Sequence, residues 1–196
     1  MSTIHMIPEE IRALYETKEV HNAVGVLATA CPEEWGEIIG VLSEFRLRRS
    51  EILEPGKNKS KIAKYLDAEL LKFGWIEKRF QTSVVVDGVQ TDAPTHAVDC
   101  FKGRVALEVE WNNKDPFFDR DLNNFRLLFD LGVIDVGVIV TRTFELQEIF
   151  KNLGRGSSYG ASTTHHGKLW PKMDGSGAGG CPVIAFAISD KLYIED

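Results

Sequence analysis

The stretch Ala97-Val98-Asp99-Cys100-Phe101-Lys102-Gly103-Arg104-Val105-Ala106-Leu107-Glu108-Val109-Glu110-Trp111 decides the fold. Its halves, Thr95–Phe101 and Val105–Trp111, carry the β-branched and aromatic residues of strands, and Lys102-Gly103-Arg104 between them predicts a hairpin turn. Side chains alternate along a strand, so Val105, Leu107, Val109 and Trp111 share one face while Ala106, Glu108 and Glu110 share the other. Two carboxylates therefore project together. Asp99, on the preceding strand, reaches the same edge and makes a third.

Three clustered carboxylates repel one another, and burying them unpaired costs several kcal/mol per charge. The fold must supply a cation, or the groups must take up protons. A hard divalent cation meets the need: Mg²⁺ takes oxygen ligands, commonly one or two carboxylates together with substrate phosphate oxygens. The chemistry this points to is hydrolysis of a phosphodiester, with the metal polarising the phosphoryl oxygen and stabilising the leaving oxygen. A plainer alternative makes Glu108 and Glu110 the solvated face of an edge strand. Against it stands the following segment Val133–Thr141, nearly all β-branched or Gly, which predicts a strand buried on both faces.

Outward from this hairpin, Asp119–Leu131 has helical spacing at Leu122, Phe125, Leu128 and Phe129 and stops at Gly132. Phe144–Leu153 reads as a short helix ending at Gly154. On the N-terminal side, residues from Pro8 to about Arg49 read as helix, with a second helix after Cys31-Pro32 whose Trp35, Ile38, Ile39, Leu42 and Phe45 form an apolar face. Ile62–Phe73 is a further helix stopped by Gly74. Phe80–Val86 reads as a strand followed by the tight turn Asp87-Gly88. The polar, Gly-rich residues 154–180 read as a long functional loop, and Pro182–Ser189 and Lys191–Ile194 as closing strands. The expected architecture is α/β, a central mixed β-sheet flanked by helices, in a single domain spanning residues 1–196.

Composition agrees with an ordinary globular protein: 196 residues, 43% hydrophobic and 27% charged. It excludes collagen, coiled coil and disorder, and no apolar run approaches the roughly 20 residues of a membrane-crossing helix. The N-terminal residues lack a secretory signal pattern, and three widely spaced cysteines, Cys31, Cys100 and Cys181, suit free thiols, so a cytoplasmic location is expected. A formal net charge of −6 weighs against non-specific attachment to nucleic acid, though not against a local basic groove.

Asp99, Glu108 and Glu110 on a hairpin, then a helix, then Ile134-Asp135-Val136-Gly137-Val138, resemble the PD-(D/E)xK core of type II restriction endonucleases. Within that group the chain is most similar to the BglII and BstYI family, from about Asp99 to Leu146, with a weaker echo in Lys72-Phe73-Gly74-Trp75 and around Ser157-Ser158-Tyr159. The resemblance implies a restriction-endonuclease-like fold and a Mg²⁺-dependent, sequence-specific nuclease of a restriction–modification system, acting on double-stranded DNA at a short palindrome with a GATC-like core. It implies that Asp99 and Glu108 hold the metal, completed by the backbone carbonyl of Val109. The general motif has Lys two residues after the Glu. Here Glu110 stands there, as in the BamHI enzyme, whereas BglII-like members more often carry Gln. A carboxylate at that position can accept a proton from the attacking water. One site per chain implies a homodimer matching the palindrome, with residues 34–45 and 122–129 as candidate interface helices or core.

For DNA contacts, the basic cluster Lys57-Asn58-Lys59 with Lys61 suits phosphate tracking, or a solvated loop. Asn113 and Lys114 follow the catalytic strand. Asn113 offers a donor and an acceptor to a base edge, or caps the next helix. Ser157, Ser158, Tyr159, Thr163, Thr164, His165, His166 and Lys168 crowd the long loop and form the expected major-groove reader. A metal site at His165-His166 lacks a third ligand. Gly175–Gly180 fits GxGxxG but precedes a strand, so it reads as a hinge and not a dinucleotide site. Two other functions remain open: a repair or structure-selective nuclease on the same core, and a DNA-binding protein with inert carboxylates.

Overall fold

The computed structural model describes residues 2–54, 59–92, 95–160 and 162–196. In chain order it contains α1 (Glu9–Leu14), β1 (Tyr15–Val20), α2 (Ala23–Ala30), α3 (Pro32–Glu44), β2 (Leu47–Arg48), α4 (Arg49–Leu53), α5 (Lys61–Leu71), β3 (Ile76–Lys78), β4 (Ser83–Val86) and β5 (Val89–Asp92). There follow β6 (Val98–Lys102), β7 (Val105–Val109), α6 (Pro116–Asp130), β8 (Val136–Arg142), α7 (Leu146–Asn152), α8 (His166–Asp174), β9 (Val183–Ile188) and β10 (Tyr193–Ile194). Six strands form one mixed sheet in the order β1-β9-β8-β7-β6-β3. The hairpin β6–β7 is antiparallel, with Lys102 opposite Val105, while β7, β8 and β9 run parallel. The fold is thus the expected mixed α/β sheet flanked by helices, consistent with a restriction-endonuclease fold.

The alternation along β7 sorts the core into two layers. Val105, Leu107, Val109 and Trp111 pack with side chains from α1, α2, α3 and α5, and Ala106 packs on the other face with Phe118, Leu122, Phe125 and Leu128 of α6 and Leu169 and Met173 of α8. Every residue of β8 and β9 is buried, as parallel strands covered on both faces require. Gly137 on β8 permits the close approach of α6, since a Cβ there would lie 2.3 Å from the Phe125 ring. Position 87–88 makes the two-residue hairpin turn, with φ 49° at Asp87 and 82° at Gly88.

Two expectations are corrected. Residues 8–49 are not continuous helix: Tyr15–Val20 is an edge strand, paired with Val183–Ile188 far along the chain, and that long-range pairing overrides the helical character of Glu16, Lys18 and Glu19. The long loop contains α8, whose Leu169 and Met173, one turn apart, pack against α6; Gly175 and Gly177 donate their N–H groups back to Pro171 and Lys172, so this stretch is not a free hinge. Of the two readings of residues 34–45 and 122–129, the core one is observed, through Ile38, Val41 and Leu42 of α3 and Leu122, Phe125 and Leu128 of α6. No helix of the described residues is long and apolar enough to cross a membrane.

Candidate active site

At the C-terminal end of β7 the sheet opens onto a cleft of about 540 Å³, walled by Lys59 just before α5, Glu77 on β3, His96 and Asp99, the segment Val109–Asn113, Phe117 and Arg120 of α6, and Arg155, Ser158 and Tyr159. Asp99 on β6 and Glu108 on β7 are joined through the backbone. The Asp99 N–H donates to Glu108 Oε2 at 3.2 Å, and the Val109 N–H donates to Asp99 Oδ2 at 3.1 Å. Reciprocal side-chain to backbone bonds of this kind fix both carboxylates relative to the hairpin. Glu108 is only 1% exposed, and its buried Oε1 has no hydrogen-bond partner among the described residues.

Glu110, also 1% exposed, is held from two sides: Asn113 Nδ2 donates to Oε2 at 2.7 Å and an Arg120 guanidinium nitrogen lies 3.3 Å from Oε1. Its carbonyl oxygen accepts the hydroxyls of Thr141 and Thr164. Asp121 of α6, fully buried, completes the acidic group and takes the Arg120 guanidinium on Oδ1. Burial, followed by the charges of Asp121 and Asp99, pushes the Glu108 carboxyl well above the usual carboxylate range. Burial and the neighbouring Asp121 push Glu110 up to about 9, and burial raises Asp121 as well. Glu110 lines the cleft, while Glu108 and Asp121 are buried and act on it through their charge; raised acids grouped at a cleft are a physical mark of a functional site.

Cations border the acids. Lys59 pairs with Asp67 of α5 and lies 3.6 Å from Asp99 Oδ1. Arg120 stands over the Phe117 ring, 4.2 Å from its centroid. His96 is half-buried, and burial followed by the charge of Arg120 holds its imidazole below the usual range.

The remaining residues singled out from the sequence divide between this cleft and elsewhere. Lys57 and Asn58 lie outside the described residues. Lys59, Asn113, Ser158 and Tyr159 line the cleft, whereas Lys61 is paired with Glu54 at 2.8 Å away from it. Asn113 gives its amide to Glu110 and its backbone to Thr164, so it is not the cap of α6, a position taken by Asp115. Lys114 is exposed and bridges Thr163, and Ser157 is exposed beside the cleft residue Ser158. Tyr159 is buried, stacked on Phe150 at 4.1 Å. Thr163 accepts from the buried Arg142, Thr164 is fully buried, and His165 is buried against Phe144. His166 Nδ1 accepts the Phe144 N–H, and Lys168 lies on α8. The expected reader loop is thus in large part a packed support for Glu110.

Sequence reasoning missed Asp121, Arg120, His96, Glu77 and Arg155. Asp121 left a signal: it interrupts the buried stripe Phe118, Leu122, Phe125 of α6, where a charge has to find a partner inside. The others come from segments distant in sequence and carry no spacing that announces them.

A sheet whose central hairpin carries Asp99 and Glu108 to a walled acidic cleft, beside Lys59 and Arg120, has the form of a nuclease of the restriction-endonuclease fold. The sequence profile of the family restriction endonuclease BglII/BglIII matches residues 15–188, and the chain belongs to that family. It is therefore a type II site-specific deoxyribonuclease, a hydrolase acting on DNA. A search of curated proteins finds no match to the chain.

Proposed function

We propose that this protein is a Mg²⁺-dependent restriction endonuclease that hydrolyses both strands of double-stranded DNA at a short palindrome with a GATC-like core, acting as a homodimer in the cytoplasm as part of a restriction–modification system. The observation that carries the reading is the buried, unpartnered Oε1 of Glu108 beside the anchored carboxylate of Asp99, an oxygen pair fitted to a hard cation and costly without one. Asp99, Glu108 and the carbonyl of Val109 would hold the Mg²⁺, which when bound supplies positive charge to the phosphoryl and leaving oxygens.

The chain's own residues supply the rest. Asn113 and Arg120 fix both oxygens of Glu110, so this carboxyl is aimed before substrate arrives and takes the proton of the attacking water. Its proton affinity, raised by burial and by the neighbouring Asp121, favours acceptance of that proton once the carboxyl is ionised. Lys59, Arg120 and Arg155 line the cleft as phosphate contacts, with Asn58 and Lys57 preceding Lys59 in sequence. Lys61, Lys114, Ser157, Ser158 and Lys168 are the accessible candidates for further DNA contact, while Tyr159, Thr163, Thr164, His165 and His166 keep a supporting role.

Incubating the protein with Mg²⁺ and a plasmid library, then sequencing the fragment ends, tests the reading. Ends that share one short palindrome support it. Ends of random sequence replace it with a structure-selective nuclease, and DNA bound but uncut in Mg²⁺ or Mn²⁺ replaces it with a binding protein.

A further inference from the structure

Residues 83–92 leave the cleft wall as a hairpin, β4 and β5, that takes no part in holding the carboxylates. Its legs are tied together at the root: the Phe80 N–H donates to Thr95 Oγ1 at 3.1 Å, and the Thr95 N–H donates to the Phe80 carbonyl at 3.2 Å. The Phe80 ring meets Phe101 of β6 edge-on at 5.1 Å, and Lys78 Nζ stands over the two rings at 4.9 and 4.7 Å. This root is fixed to the edge of the sheet between Glu77 and His96, which both line the cleft. Beyond it every residue of β4 and β5 is exposed.

The register gives the hairpin two unlike faces. Val84 lies opposite Thr91 and Val86 opposite Val89, so four β-branched side chains share one face, while Ser83 opposite Asp92 and Val85 opposite Gln90 form the other. Gln90 donates to Ser83 Oγ at 3.1 Å across the polar face. On the apolar face Val84, Val86 and Val89 are 53%, 62% and 67% exposed. A two-stranded hairpin is marginal in water until its apolar face is covered.

The substrate is what this rim meets. A cleft of about 540 Å³ admits a scissile phosphate but not a duplex, so the DNA stands out of it and runs past the root of the hairpin. Charge then decides the kind of contact. Residues 83–92 contain Asp87 and Asp92 and no Lys or Arg, so they are no phosphate track, and the two carboxylates lie at the turn and on the polar face. An uncharged, methyl-bearing β-ribbon fits the floor of the major groove, which at about 12 Å is wide enough for two strands and presents the C5-methyl groups of thymine.

We propose that the β4–β5 hairpin docks its face of Val84, Val86, Val89 and Thr91 in the major groove beside the cleft and favours thymine there through methyl–methyl contact. It is a specificity element separate from Asp99, Glu108 and Glu110, and it adds no electrostatic affinity. The contact rests on the reading that the substrate is double-stranded DNA, and it is independent of the metal and of a palindrome.

Duplexes selected from a random pool by binding to the full chain in a chelator, where nothing is cut, are remade with deoxyuridine in place of thymidine. Wild-type affinity should fall about threefold to tenfold on losing the methyl groups. A variant with Val84→Thr, Val86→Thr and Val89→Thr keeps the β-branched shape, and it should bind both duplexes alike, as weakly as the wild type binds the deoxyuridine form. Val85→Thr, on the opposite face, should behave as the wild type, and all of these proteins should show the same dependence of affinity on salt. A wild type indifferent to the methyl groups overturns the proposal, as does a triple variant that still loses affinity with them. A triple variant that changes its sedimentation, with its methyl dependence intact, would assign the face to a second copy of the chain and equally overturn it. A wild type that cuts at one palindrome yet ignores the methyl groups would keep the nuclease reading and remove this one; methyl dependence in a protein that cuts at no fixed site would do the reverse.

Discussion

Asn113 Nδ2 donates to Glu110 Oε2 at 2.7 Å, from a residue whose own backbone is pinned to Thr164 by two hydrogen bonds. The loop after α7 therefore acts on the cleft indirectly: Thr164 holds Asn113, and Asn113 holds Glu110. Asn113→Ala leaves Glu110 with Arg120 alone. Single-turnover DNA cleavage should fall about 10–100-fold, in line with the loss of an aimed proton acceptor, with a stability loss of about 1 kcal/mol. Rapid-quench cleavage and urea unfolding measure the two effects separately.

Glu108→Gln should separate stability from activity. The wild-type carboxylate is buried, lacks a partner on Oε1 and faces Asp121 and Asp99, so the metal-free fold carries an electrostatic cost that a neutral amide removes. In a chelator the variant should unfold at higher urea than the wild type, by about 1–3 kcal/mol. A lower midpoint would mean that Glu108 is satisfied as it stands.

Glu19, at the end of β1, ties the N-terminal residues to α2. Its Oε2 accepts the Val24 N–H at 3.0 Å and the Thr3 hydroxyl at 2.8 Å, while Oε1 accepts the Ser2 hydroxyl and the Thr3 N–H. Burial alone would raise this carboxyl, but the donors outweigh it and hold it below the usual range. The folded form thus binds its proton more weakly than the unfolded form. Its contribution is present above the ordinary carboxylate range and disappears as pH falls through the lowered value. Glu19→Gln should cost about 1 kcal/mol at pH 7, and the gap from wild type should be smaller at pH 3 than at pH 7. Urea midpoints at the two pH values measure it.

Gly137→Ala places a methyl 2.3 Å from the Phe125 ring position, between β8 and α6. Overpacking of this kind costs about 1–3 kcal/mol. Because α6 also carries Arg120 and Asp121, the variant should lose cleavage rate beyond what its folded fraction explains. Circular dichroism melts run beside cleavage assays at a temperature where it remains folded check both effects.

The sheet was legible where it depends on local pattern. The alternation of Val105–Trp111, the Gly103 turn and the unbroken apolar run of Val136–Val140 dictate a hairpin next to a buried strand, and with it the meeting of Asp99, Glu108 and Glu110. Tyr15–Val20 was not legible as a strand, because its identity comes from a partner at Val183–Ile188 and not from its own residues. In α8, Pro171 and the surrounding glycines obscure the one-turn spacing of Leu169 and Met173. At the site, the carboxylates of the hairpin announced themselves. Arg120, His96 and Lys59 reach the cleft only through tertiary packing, and Thr164 and His165, polar in sequence, are buried because their segment packs beneath Glu110.

The central claim is that the oxygen cluster at the end of β7 performs phosphodiester hydrolysis. The most direct measurement is the single-turnover rate of DNA cleavage in Mg²⁺ by Glu108→Ala against wild type, with folding of both verified. The account predicts sequence-specific cutting by the wild type and a fall of more than about 10³-fold in the variant, on the scale of losing transition-state charge stabilisation. A Glu108→Ala protein that cuts at the wild-type rate would contradict it.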